Sequence, residues 1–207
     1  MEKITKIGKL GVLLALIISA SYRLNILAIP LNIDTLETGD VILLDLDCWS
    51  CSLIEDETQG PFSHSGLVFR NDNSIHIGQS LGEVYLLEIN SFLALSNKKA
   101  TVLRPRKINA KHKKDLKELY FTKYEGVVFD HDYTWGDDSY YCSEFIYKIL
   151  NDSLKFKKFS PKPMSYLRNW NLWTQYFGHT PPQGKMGISP NDFYRSSEFK
   201  IIGELSL

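Results

Sequence analysis

The order of apolar and polar positions along the chain predicts a single α+β domain. Short apolar runs bounded by turn residues are typical of buried strands. The turn-forming run Asn71-Asp72-Asn73-Ser74 separates two of these runs, which are therefore expected to pair as a hairpin. The predicted strands span residues 41–46, 65–70, 74–78, 84–89, 100–104 and 199–205.

Helical spacing of apolar residues is found in two segments. Lys111–Tyr124 places Leu116 and Tyr120 on one face and lysines on the other, and the segment that begins at Cys142 has apolar residues at positions 145, 146, 149 and 150. A third helix is expected to start at Ser189-Pro190, since serine is a good N-cap and proline fits the first helical position. The polar segment 47–60 is predicted to be a loop, and the proline-rich chain after residue 151 is predicted to be loop-rich.

The N-terminus has the pattern of an export signal. Lys3, Lys6 and Lys9 precede an apolar run at residues 10–20, which is shorter than the ~20 residues that a membrane-spanning helix needs. A second apolar run at residues 24–31 leaves an uncleaved anchor open. We therefore expect residues 1–20 to be a signal peptide or N-terminal membrane anchor, residues 21–35 a linker, and residues 36–207 the folded domain. The protein is expected to be exported, either periplasmic or anchored in the membrane and facing away from the cytoplasm.

The composition excludes few functions. The 207 residues include 24 basic and 24 acidic side chains without a basic block, so no nucleic-acid partner is expected. Aromatic residues make up 13% of the chain, which suits a packed domain with an aromatic-lined cleft.

Three cysteines, Cys48, Cys51 and Cys142, suggest one close pair and one free thiol. The close pair is expected to be a local disulfide or two free thiols. A zinc site would need a second pair of ligands, and a redox dithiol would need a thioredoxin-like strand pattern. The acidic segment 130–141 lacks the glycine and the final glutamate of a calcium-binding EF-hand loop. We therefore expect no metal and no cofactor.

Cys142 is the best candidate for a nucleophile. The N-terminus of a helix carries unpaired N–H groups and a partial positive charge, and both favour a thiolate. His64 is the candidate general base, since the small residues Ser63, Ser65 and Gly66 leave room beside it. His76 lies twelve positions later, across the predicted turn, and is expected to orient the His64 imidazole.

These motifs together resemble the permuted NlpC-type cysteine peptidases of the YiiX/YaeF-like branch, over roughly residues 36–205. The resemblance implies a circularly permuted papain-like fold, in which an antiparallel sheet carrying the histidine precedes the helix that begins with the cysteine. It also implies that Cys142 is the nucleophile, His64 the general base and His76 the orienting residue. The matching segments are residues 38–43, 62–68, 75–76, 141–148 and 184–192.

The expected function is that of an exported cysteine hydrolase that cleaves an amide bond of a peptide by thiol catalysis. Export and the family resemblance suggest a cell-wall peptide, that is, a peptidoglycan stem, as substrate and partner. Two other functions remain open on the same fold: a lipid-directed thiol acyltransferase or thioesterase, and a non-catalytic binding module. Membrane association through the N-terminal apolar segment is also left open.

Overall fold

A six-stranded antiparallel sheet forms the centre of the structure, a computed structural model that describes residues 30–206. The predicted signal or anchor segment, residues 1–20, and residues 21–29 of the predicted linker lie outside the described residues. The strands are β1 (Val41–Leu44), β2 (His64–Arg70), β3 (Ile75–Leu81), β4 (Glu83–Glu88), β5 (Ala100–Pro105) and β8 (Phe199–Leu205), while β6 (Lys162–Pro163) and β7 (Met186–Gly187) form a separate pair. The strand order in the sheet is β4-β3-β2-β1-β5-β8.

Six α-helices accompany the sheet in the described part of the chain. Within residues 30–206, no helix is both long enough and apolar enough to cross a membrane. The helices are α1 (Trp49–Thr58), α2 (Ile89–Leu93), α3 (Ala110–Leu119), α4 (Cys142–Leu154), α5 (Trp170–Phe177) and α6 (Pro190–Arg195); α3 continues into a π-helical turn at Tyr120–Tyr124, and a short 3-10 helix spans Ile33–Thr35.

Side chains of β1 and β2 alternate between two hydrophobic layers. Leu43 and Leu67 belong to the layer that includes Phe145 of α4, whereas Leu44 and Val68 belong to the layer on the opposite face, which includes α2. All four residues of β1 are fully buried because this central strand is covered on both faces. The two layers fix which residues of β2 face α4.

Two helices lie where the sequence predicted none. Helix α1 lies in the predicted loop 47–60, and α5 lies in the chain after residue 151 that was predicted to be loop-rich. In α1 only Cys51 and Leu53 are buried, and in α5 only Trp173 is buried. One or two buried side chains do not produce the repeating apolar stripe on which the prediction of a helix depends. The prediction of a loop at residues 47–60 is therefore wrong, and α5 is a helix that the sequence pattern did not predict.

The described chain enters at the edge of the sheet, where the backbone N–H of Leu31 donates to the carbonyl of Glu204 at 2.8 Å. Glu204 lies opposite Thr101, Thr101 opposite Leu43, and Leu43 opposite Ser65. The entry point is therefore in the same cross-strand row as the residue that follows His64.

Candidate active site

Cys142 occupies the first position of α4, as predicted, and Tyr141 is the N-cap. The cysteine is 8% exposed and is a free thiol. The first N–H groups of a helix have no intrahelical partner, so the backbone N–H of Cys142 is a suitable donor to an oxyanion. The other two cysteines, Cys48 and Cys51, form a disulfide, which selects one of the two states left open by the sequence.

His64 is the first residue of β2 and is 3% exposed. Its imidazole packs against the ring of Phe92 of α2, with the ring centroids 5.8 Å apart. Through Nε2 the ring hydrogen-bonds to Oε1 of Gln79 at 2.7 Å, and on its other side it lies close enough to the Cys142 thiol for each group to shift the pKa of the other. An amide oxygen only accepts, so Nε2 carries a proton and Nδ1 is the nitrogen left for the thiol. The structure therefore brings Cys142 and His64 together.

Charge interactions within this pair favour a thiolate and an imidazolium. Burial alone would raise the pKa of the Cys142 thiol, but the charge and hydrogen bond of His64, together with donors on Ser65, lower that pKa below its ordinary value. Burial alone would lower the pKa of His64, but the charge of Cys142 and the hydrogen bonds to Cys142 and Gln79 raise it. The two shifts have the directions expected of a thiolate–imidazolium pair.

The predicted approach of His76 to His64 is wrong, because the strand register places the two histidines apart. His76 lies opposite Phe69, next to the far end of β2, and Phe69 belongs to the hydrophobic layer of α4. His64 lies opposite Leu44, which belongs to the other layer. The two histidines thus lie on opposite faces of the sheet and at different positions along it.

Gln79 takes the position that was predicted for His76. It is fully buried, and its Nε2 donates to the Tyr85 hydroxyl at 2.8 Å, while Tyr85 lies directly opposite it on β4. The prediction ended the third strand at residue 78, but β3 continues to Leu81 and so includes Gln79. In a hairpin with Arg70 opposite Ile75, Gln79 lies on the same face of the sheet as His64. The position of the turn at residues 71–74 was therefore sufficient to select Gln79.

Helix α1 and a series of aromatic rings border the site. Burial raises the pKa of Glu55 of α1, and Ser63, directly before His64, lies close enough to oppose that rise. Tyr133 lies close enough to Cys142 that the thiol, after the larger effect of burial, helps to raise the pKa of the tyrosine. The hydroxyls of Tyr133 and Tyr176 are 3.0 Å apart, and the ring of Tyr176 lies 6.3 Å from that of Trp49. The rings thus extend from the thiol towards Trp49, which is 50% exposed.

The acidic loop that precedes α4 is held by its own contacts. Asp130 accepts backbone hydrogen bonds from Asp132 and Thr134, so its carboxylate organises the loop. Asp132 contacts His179 at 2.9 Å, and Asp137 contacts Lys148 at 2.9 Å.

Two proteins of Escherichia coli resemble this chain. The protein YiiX of strain K12, whose function is uncharacterized, is 22% identical over 180 residues, which cover 81% of this chain and 86% of YiiX. A crystal structure described as metalloprotein YiiX from strain O157:H7 superposes with a TM-score of 0.73 at 19% identity, covering 80% of this chain and 96% of that one. At this level of identity the structural match shows a shared fold.

The word metalloprotein describes that structure. Within residues 30–206, no three or more His, Cys, Asp or Glu side chains are grouped so that they could hold a metal ion. Protein metal sites are generally built from at least three such ligands.

The model of one protein family matches residues 35–203, which is most of the chain. That family is described as permuted papain-like amidases, YaeF/YiiX, of the C92 family. The antiparallel sheet, with the histidine strand before the cysteine helix, agrees with this description and with the fold expected from the sequence. The chain belongs to the permuted papain-like amidase family and is a cysteine peptidase or amidase.

Proposed function

We propose that this protein is an exported amidase that cleaves an amide bond of a cell-wall peptide, with Cys142 as nucleophile, His64 as general base and Gln79 as the residue that orients His64. The observation that carries the proposal is the contact between a free thiol at a helix N-terminus and a buried imidazole held on its other side by an amide oxygen. This arrangement meets the geometric requirement for an activated thiol nucleophile.

The proposed reaction has two steps. The Cys142 thiolate attacks the carbonyl carbon, the Cys142 N–H donates to the oxyanion, and the C–N bond breaks as the His64 imidazolium gives its proton to the leaving amine. His64, now neutral, takes a proton from water, and the resulting hydroxide attacks the thioester. The C–S bond breaks, which releases a carboxylic acid and restores the thiolate.

Export is supported by the sequence at residues 1–20, where three lysines precede an apolar run, and a cell-wall substrate would follow from export. The test is cell fractionation combined with N-terminal sequencing of the mature protein. Recovery of the uncleaved chain in the cytosol would contradict export.

Digestion of purified muropeptides, followed by mass spectrometry, tests the substrate and the nucleophile. The wild type should release fragments with new amine and carboxyl ends, whereas Cys142→Ala should release none. A double variant, Cys48→Ser with Cys51→Ser, is the matched control because it removes two sulfurs outside the proposed reaction. If the muropeptides stay intact after incubation with the wild type, the proposed substrate is refuted. If Cys142→Ala cleaves them at the wild-type rate, the role of Cys142 as nucleophile is refuted.

A lipid-directed thiol acyltransferase or thioesterase is the second candidate. It is favoured by the exposed apolar side chains on and beside α1 and α5: Trp49 is 50% exposed, Leu167 66% and Leu172 39%. A surface of this kind, reached from the thiol through Tyr133 and Tyr176, suits an acyl chain better than a charged peptide. Turnover of acyl-lipid or thioester substrates in the same assay, with every muropeptide intact, would favour this candidate.

A further inference from the structure

Ser65, the residue after His64, has a buried hydroxyl with no evident structural use. The residue is fully buried, and within the described part of the chain its Oγ has no hydrogen-bond partner. Buried hydroxyls are normally paired, so an unpaired one calls for a specific explanation. The buried serine Ser80 on β3 shows the usual case, since its hydroxyl donates to the carbonyl of Tyr140 at 2.6 Å.

The strand geometry points Ser65 towards α4. Ser65 lies opposite Leu43, and Leu43 belongs to the hydrophobic layer that α4 shares. Cys142 is the first residue of α4, and the Ser65 hydroxyl lies close enough to its sulfur to help lower the pKa of the thiol. The Cys142 sulfur therefore lies on the face of the sheet to which the Ser65 side chain points.

The backbone of Ser65 also faces the thiol, because β2 and β3 are not paired at this point. The paired register of the two strands runs from Leu67 opposite Gly78 to Arg70 opposite Ile75, and Ser65 precedes it. Beyond Gly78, β3 pairs with β4 instead, with Gln79 opposite Tyr85. The Ser65 N–H is thus outside that ladder, and it lies close enough to Cys142 to help lower the pKa of the thiol.

We propose that Ser65 is a positioning residue that holds the Cys142 thiolate with two donors, its hydroxyl and its backbone N–H. The proposal rests on the proposed function, since it assigns Ser65 to the thiolate form of the nucleophile. His64 provides the proton transfer, and Ser65 keeps the sulfur ionised and fixed beside it. A hydrogen bond to an ionised sulfur is stronger than one to a neutral thiol, so the hydroxyl favours the thiolate.

The test is the pH dependence of Cys142 alkylation by iodoacetamide, read on the Cys142 peptide by mass spectrometry. In Ser65→Ala the apparent pKa of the thiol should rise by about one unit, the shift expected from losing one hydrogen bond to a charged group. Alkylation should then fall about tenfold at pH values below the wild-type pKa and remain unchanged above the variant's pKa. The melting temperature should stay close to that of the wild type, because no other group loses a partner.

Ser80→Ala is the matched control, since it removes a buried hydroxyl from the same face of the neighbouring strand. It should lower the melting temperature, because the Tyr140 carbonyl loses its donor, and should leave the pKa of Cys142 unchanged. If the pH dependence of Cys142 alkylation is the same in Ser65→Ala as in the wild type, and the thiol pKa is low in both, the proposed role of Ser65 is overturned while the thiolate mechanism stands. An ordinary thiol pKa in the wild type would overturn both this role and the proposed thiolate mechanism, and an equal shift in both variants would show a general effect of packing and overturn the role of Ser65.

Discussion

Replacing Gln79 by alanine tests the contact that distinguishes the observed site from the one predicted from sequence. Gln79 Oε1 accepts a 2.7 Å hydrogen bond from His64, and both residues are buried. A hydrogen bond to a charged group contributes about 1.5–3 kcal/mol. If the bond is fully made in the transition state, its loss lowers kcat/KM by roughly 10- to 150-fold. The same loss should reduce the raised pKa of His64, because Gln79 stabilises the imidazolium.

The assay is the pH profile of kcat/KM on whichever substrate the wild type turns over. In Gln79→Ala the alkaline limb, which we assign to His64, should move to lower pH, while the acidic limb, assigned to Cys142, should move less. His76→Ala is the matched control, because His76 lies opposite Phe69 on the other face of the sheet. Its profile should match that of the wild type.

Gln79→Glu extends the test in the opposite direction. A carboxylate facing His64 should raise the pKa of the imidazolium further and move the alkaline limb to higher pH. The reasoning fails if His76→Ala is impaired as much as Gln79→Ala. It also fails if Gln79→Ala and Gln79→Glu displace the alkaline limb in the same direction.

Three further predictions concern stability. Arg104→Ala should lower the free energy of unfolding, measured by chemical denaturation, by about 3–5 kcal/mol, because the buried Asp40 carboxylate loses the cation that binds it at 2.7 Å. Lys111→Ala, which removes an exposed ion pair, should lower it by at most about 0.5 kcal/mol. Gly66→Ala should cost about 1–3 kcal/mol by the same measurement and reduce activity, because the new Cβ would lie 2.6 Å from a phenylalanine ring of α2. Burial raises the pKa of Glu144 to about 7, so between about pH 4.5 and about pH 7 the folded state binds more protons than the unfolded one, and stability falls as pH rises. In urea unfolding, the free energy of unfolding of the wild type should therefore fall by up to roughly 3 kcal/mol relative to that of Glu144→Gln across this pH range. If the two proteins lose stability in parallel as the pH rises, the raised pKa of Glu144 is contradicted.

The sequence predicted the parts of the site that local pattern determines. Cys142 begins a helix whose apolar positions repeat at helical spacing, and His64 begins a strand that follows a loop; both predictions are confirmed by the elements of the structure. Such patterns report one element at a time, and the strong stripe of α4 makes its first turn easy to locate. The catalytic roles of the two residues remain proposals.

What the sequence did not provide is the pairing between elements. The third polar residue depends on the register of β2 and β3, and a shift of one residue moves every side chain to the other face. His76 was selected because it lies twelve positions after His64 across the predicted turn, but its position opposite Phe69 separates it from His64. Helix α1 was missed for a related reason, since only Cys51 and Leu53 of its ten residues are buried and its neighbours are polar.

The place of the thiol at the end of the sheet explains how two consecutive strand residues can both serve it. His64 and Ser65 point to opposite faces of β2, so over the middle of a regular sheet only one of them could reach a given helix. At the start of β2 the pairing with β3 has not yet begun, and α4 presents Cys142 at its own first residue. In the geometry we propose, the imidazole approaches the sulfur from one face of the sheet, and the Ser65 hydroxyl approaches it from the face on which α4 packs. The catalytic geometry we propose therefore depends on the β2–β3 pairing ending before Ser65. A substitution that extended this pairing to Ser65 would engage the Ser65 N–H in the sheet and remove it from the sulfur.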